Sequence, residues 1–161
     1  MTAQVLDRVL TAYRIGDPDG RYPIFDAAGS TVAPGRWNTA DTPVIYASEH
    51  YSTAVLEKLV HFNGIMPKNQ HFVRITIPNG VTYERFDVHA HPGWDRSESP
   101  VARGYGAAWI RQARSLILLV PSVVARIELN VLINPAHPEF HRITTGLHEP
   151  ISWDARLLGG G

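Results

Sequence analysis

Glu57 is the carboxylate whose setting invites a chemical reading. It lies in Ala54–His61, where helical spacing gathers Val55, Leu59 and Phe62 into one apolar stripe and leaves Glu57 toward the opposite side, one turn before His61. A glutamate so placed either faces water or is offered to a ligand. Two arginines invite the same question. Arg14 sits in Tyr13-Arg14-Ile15, which reads as a strand, and arginines at strand edges commonly point into water. Arg36 lies between Gly35 and Trp37, where a glycine lets backbone approach a ligand and a tryptophan offers a rigid wall. Ser122 follows Pro121 at the end of an apolar run, a place from which a hydroxyl reaches a cleft or simply closes a turn.

Other chemistries find less support. The chain has eight histidines, and two pairs have ligand-like spacing: His89 with His91, and His137 with His141. Neither pair has an acidic helper in a known arrangement, and His-Glu-x-x-His is absent, so a zinc hydrolase is a distant reading. A serine hydrolase elbow, Gly-x-Ser-x-Gly, is absent. So are the P-loop and Gly-x-Gly-x-x-Gly phosphate cradles, of which Gly104-Tyr105-Gly106 is only a fragment.

The elements that must hold these residues are short and numerous. Val5, Leu6, Val9 and Leu10 stand at helical spacing with Thr2 as a cap, which predicts a first helix. Residues 16–43 read as a long loop, and Pro43–Ala47 as a buried strand. Ser48 would cap the helix that carries Glu57, with Val55, Leu56, Leu59, Val60 and Phe62 buried. Phe72–Ile77 and Val81–Phe86, joined by Pro78-Asn79-Gly80, read as a hairpin. A helix follows over Pro100–Arg114, then a strand over Ser115–Val120, a second over Val123–Ile133, and a last strand with a mixed tail. Helices mixed with many short strands predict an α+β, or irregular α/β, fold.

Composition bounds the answer further. A length of 161 residues, 44% hydrophobic, suits one domain spanning 1–161. Fifteen basic and fifteen acidic side chains cancel. Binding nucleic acid by itself is therefore not expected, since that affinity comes from excess Lys and Arg. The absence of cysteine excludes disulfides, thiolate zinc sites and cysteine nucleophiles, and suits a cytoplasmic protein. No apolar run approaches ~18 residues, so no membrane span is expected.

Taken in order, Tyr13-Arg14-Ile15, Gly35-Arg36-Trp37-Asn38, Val44-Ile45-Tyr46-Ala47-Ser48 and Ala54-Val55-Leu56-Glu57-Lys58-Leu59-Val60-His61 resemble the RES domain. Pro92-Gly93-Trp94, the Val-Pro-Ser that ends at Ser122, and Asn130–Pro138 extend the likeness from about Tyr13 to Leu158. Within that family the pattern is similar to the ParT type. The resemblance implies a bacterial toxin neutralised by an Xre-like antitoxin, with two small sheets around an NAD cleft as in ADP-ribosylating toxins.

The implied substrate is NAD+, with no metal and no permanent cofactor. The implied reaction transfers ADP-ribose to a protein acceptor, and the alternative is glycohydrolysis or phosphorolysis of NAD+. A binding module without turnover is the rival from another class. By the resemblance, Glu57 would steady the oxocarbenium-like charge formed as the nicotinamide–ribose bond breaks. Arg14 or Arg36 would be the family arginine, both suited to a pyrophosphate. Tyr46 would face the nicotinamide, Ser122 would hydrogen-bond it or its ribose, and Trp37 and Asn134 would add contacts to NAD+. The antitoxin would cover this cleft, in the bacterial cytoplasm.

Overall fold

The computed structural model describes residues 3–159. In chain order its elements are β1 (Gln4–Val5), β2 (Leu10–Gly16), α1 (Ala28–Val32), β3 (Ile45–Ser48), α2 (Tyr51–His61), β4 (His71–Ile77), β5 (Thr82–Arg85), α3 (Pro100–Arg111), β6 (Ile117–Pro121), β7 (Leu129–Ile133), β8 (Thr144–Thr145) and β9 (Glu149–Pro150). Among the described residues the strands form a single sheet in the order β1-β5-β6-β7-β3-β2-β4-β8, with β9 also paired to β4. The sheet curls into a half-barrel, and the α+β class holds. The two separate small sheets implied by the resemblance are not present; what takes their place is a weak seam. β2 runs its full length along β4, yet meets β3 only at Tyr13–Ser48. α2 packs across both strands at that seam.

One face of the sheet is a purely apolar layer of Ala12, Ile45, Ala47, Ile75, Ile117, Val131 and Ile133. The other stacks Leu118, Val120 and Leu132 against α3 and the aromatics Trp37, Phe86, Trp94 and Trp109. This alternation follows from the two-residue period of a strand, and each fully buried aliphatic side chain contributes ~1.5–3 kcal/mol. α3 starts where the sequence signals it: Ser99 Oγ accepts from the Ala102 N–H and Pro100 opens the first turn. It lies so close to the Trp37 backbone that a Cβ on Gly106 would stand 1.8 Å from the Trp37 carbonyl oxygen.

Several sequence expectations are overturned. Among the described residues the first helix is absent. Gln4–Val5 pairs with β5, the Leu6 N–H bonds to the Val81 carbonyl, and Val5 and Val9 are exposed, so cross-chain pairing overrides helical spacing. Its cap, Thr2, lies outside the described residues. The hairpin is also absent. Gly80 does turn the chain with φ +88°, but β4 pairs with β2, and β5 pairs with β1 and, in parallel, with β6 across the α3 crossover. Residues 16–43 contain the short α1. The strand expected over Val123–Ile133 begins only at Leu129, because residues 122–128 form a turn closed by bonds between Ser122 and Glu128 in one direction and Glu128 and Ala125 in the other. The tail holds two strands of two residues each.

Candidate active site

Three strand ends converge on Glu57. β6 ends at Pro121, just before Ser122; Asn130 is the second residue of β7; Ser48 ends β3. Ser48 and Asn130 stand directly opposite each other in the antiparallel ladder, so their side chains share a face and meet. The Ser48 hydroxyl donates to Asn130 Oδ1 at 2.8 Å. Asn130 Nδ2 in turn donates to Glu57 Oε1 at 2.8 Å, and Ser122 Oγ donates to the same oxygen at 2.8 Å. Among the described residues Glu57 Oε2 has no hydrogen-bond partner. Ser122 is itself fixed, because its oxygen accepts from the Ala125 N–H at 3.1 Å. The turn that carries it is tied to the start of α2 by His50 Nδ1 and Glu128 Oε2 at 2.7 Å.

α2 is oriented differently from its pattern. Ser48 belongs to β3, and His50 takes the cap position with extended backbone and no side-chain cap bond. The buried positions are Thr53, Ala54 and Leu59, whereas Leu56 is 42% and Val60 60% exposed. Glu57 and Lys58 are half-buried. The helix therefore turns charged groups inward and two aliphatic ones outward. Burial, together with the nearby Arg14 guanidinium, pulls the Lys58 ammonium down to about 8. Its Nζ lies 5.6 Å from the Phe62 ring centroid, and among the described residues it has no carboxylate partner.

Arg14 plugs the seam. Its Nη1 donates to the Tyr46 carbonyl across from β2 to β3 at 2.8 Å, and its Nε donates to the Ile24 carbonyl. Burial lowers its pKa against the pull of Asp26, although a guanidinium stays charged throughout. Arg36 is held elsewhere, with Nη1 donating to the carbonyls of Trp94 at 3.1 Å and Arg96 at 2.6 Å. Tyr46 is bonded toward both, through its carbonyl to Arg14 and through its hydroxyl to the loop of Arg36. Its hydroxyl donates to Asn38 Oδ1 at 2.7 Å and accepts from the Trp37 N–H at 3.0 Å, and burial pushes it far above the ordinary phenol range. A Cβ on Gly35 would lie 2.7 Å from that hydroxyl, so only glycine admits the ring here.

The structure thus brings Glu57 and Ser122 into direct contact, links Arg14 to Tyr46 through the backbone, and ties Tyr46 to the loop that bears Arg36. Trp37 and Asn134 stand apart. Trp37 is buried among Phe86 and Trp94 as a core residue. Asn134 is fully buried at the far end of β7, with Nδ2 on the Ile110 carbonyl and Oδ1 accepting from the Ala136 N–H. Sequence reasoning missed Asn130, assigned Ser48 to a helix cap, and passed over Lys58. No local signal joins Ser48 to Asn130, because their meeting depends on the β3–β7 pairing. Among the described residues no group of three or more His, Asp or Glu side chains gathers as metal ligands, and no helix is long and apolar enough to cross a membrane. A recess of about 470 Å³ lined by Arg85, His89, Pro121 and Arg126 borders the 122–128 turn but contains none of the site residues.

Comparison with known proteins places the chain in a family. The Prs ADP-ribosylating toxin of a Sphingobium species is 34% identical over 136 residues, covering 81% of this chain and 84% of that protein. Toxin Res of Pseudomonas putida is 31% identical over 121 residues, covering 73% and 82%. Among solved structures, the Mycobacterium tuberculosis MbcT–MbcA toxin–antitoxin complex superposes with a TM-score of 0.68 at 13% identity, over 92% of this chain and 87% of the matched one, which is a likeness of fold. The RES domain model matches residues 11–154, a span that contains β2 from Thr11 onward, the seam and all four members of the Glu57 cluster. With that span matched from end to end, the chain belongs to the RES domain family.

Proposed function

We propose that this protein is the toxin of a bacterial toxin–antitoxin pair, that it consumes NAD+ in the cytoplasm, and that it transfers ADP-ribose to a protein acceptor. The observation that carries the reading is the state of Glu57. Two donors hold one carboxylate oxygen and, among the described residues, the other has no hydrogen-bond partner. An anchored carboxylate with one open oxygen suits a ribose hydroxyl and the positive charge that builds up as the nicotinamide–ribose bond breaks. Arg14 is the cation at the seam and Arg36 the one on the Tyr46 loop, and either fork suits a diphosphate. The Tyr46 hydroxyl is occupied, so its contribution to nicotinamide is through the ring face. Trp37 and Asn134 have no direct part in this reading, because packing and hydrogen bonds already occupy them. The chemistry requires no metal. Residues 1–161 act as one RES domain, and a cognate Xre-like antitoxin silences it by covering the cleft.

The relative named an ADP-ribosylating toxin favours transfer to protein. Incubation with labelled NAD+ and bacterial lysate tests this directly. Label on protein is the expected result. Label released only as free ADP-ribose or its phosphorylated form would replace transfer by NAD+ hydrolysis or phosphorolysis. Unchanged NAD+ would overturn the reading.

A further inference from the structure

A glutamate's last torsion is broad and its two oxygens are equivalent, so nothing in Glu57 itself fixes the plane in which the carboxylate meets a substrate. That plane is set outside α2. Ser122 Oγ and Asn130 Nδ2 both sit 2.8 Å from Oε1, and the carboxylate can only accept. Asn130 serves only while its N–H edge faces Glu57. Turned over, the amide would set oxygen against oxygen. Its other end is engaged by the Ser48 hydroxyl at 2.8 Å, in a site where Ser48 is buried and Asn130 half-buried. Neither Ser48 nor Asn130 is needed for that purpose by the fold alone, since the β3–β7 ladder runs from Ile45 to Ser48 through backbone bonds.

We propose that Ser48 and Asn130 are positioning residues that fix the Glu57 carboxylate with Oε1 anchored and Oε2 presented to the substrate. The inference rests on the reading of Glu57 as the residue that steadies the ribosyl charge. The relay has a direction. Glu57 accepts from the amide, the amide accepts from the serine, and each bond depends on the next for its orientation.

Asn130→Asp is the sharpest test, because it keeps the shape and the acceptor for Ser48 but places a carboxylate oxygen where an N–H met Glu57. NAD+ turnover should lose about 100-fold in kcat, the scale of disabling one electrostatic stabiliser, while KM stays within about twofold. Ser48→Ala should lower kcat by about fivefold, the value of one neutral hydrogen bond, and Ser48→Thr should restore it. Glu57→Gln is the control. If Glu57→Gln is inactive and Asn130→Asp keeps wild-type kcat, the relay is wrong. A raised KM with unchanged kcat would equally overturn it, since that is what mere loosening of the cleft gives. If Asn130→Asp does not fold, equal kcat for Ser48→Ala and wild type overturns the proposal. Wild-type turnover by Glu57→Gln would instead sink the underlying reading of Glu57.

Discussion

The two long helices have similar lengths and similar apolar content, yet they solve opposite problems. α3 obeys its pattern: Ala102, Gly106, Ala107, Trp109 and Ile110 are buried, and Trp109 Nε1 finds Ser115 Oγ at 2.8 Å. α2 departs from its pattern, exposing Leu56 and Val60 while Glu57 and Lys58 turn inward. A helix that serves only packing follows local hydrophobicity. A helix that serves a site accepts charges on its inner face, and here the strands beneath it supply hydrogen bonds for the carboxylate.

Mutations should divide along the same line. Trp109→Ala empties the largest fully buried side chain of the α3 layer and should lower stability by ~3–5 kcal/mol, read by urea denaturation. Glu57→Gln on α2 keeps the oxygen that Ser122 and Asn130 hold, so stability should change by less than ~1 kcal/mol. Turnover of NAD+ should nonetheless fall by ~100-fold or more. If Glu57→Gln unfolds the protein as Trp109→Ala does, the contrast between the helices collapses.

Lys58→Met sharpens it further. Lys58 is held at about 8 against its ordinary 10.5, so below pH 8 the folded state carries a cation it disfavours. That penalty is complete at pH 7, fades as pH rises from 8 to 10.5, and is gone only above that, where both states have shed the proton. Lys58→Met should therefore be more stable than wild type at pH 7, by about 1 kcal/mol after solvent screening, and the two melting curves should converge above pH 10.5. Val60→Gln, on the exposed side of α2, should shift stability by no more than about 0.5 kcal/mol in the same melts.

What the sequence revealed follows from this contrast. α3, β6 and the Glu57 helix were legible because their periodicity, caps and apolar runs are local properties. The strand at Gln4–Val5 was not, since Val5 and Leu6 pair with Thr82 and Val81, residues far along the chain. The orientation of α2 was illegible for a related reason. Its inner face is decided by what β3, β6 and β7 offer, and Ser48, Ser122 and Asn130 are apart in sequence by up to 82 residues. Glu57 and Ser122 were singled out one by one, and the structure brings them into contact; the rotation that joins them could not be read from helical spacing.

The Tyr13–Ser48 seam divides the backbone ladder of the sheet into two plates, β1-β5-β6-β7-β3 and β2-β4-β8, joined by one ladder position, the Arg14 bond to Tyr46, α2 lying across both, and the apolar layer they share. Sheets usually fray from their outer strands. Here deuterium would also enter at the middle, through openings that leave each plate intact and have a lower free energy than global unfolding. The Glu57 anchors belong to one plate and Arg14 to the other. A ligand touching both would act as a rivet, so its arrival should be recorded first as slowed exchange along β2 and β3, with the outer strands unchanged.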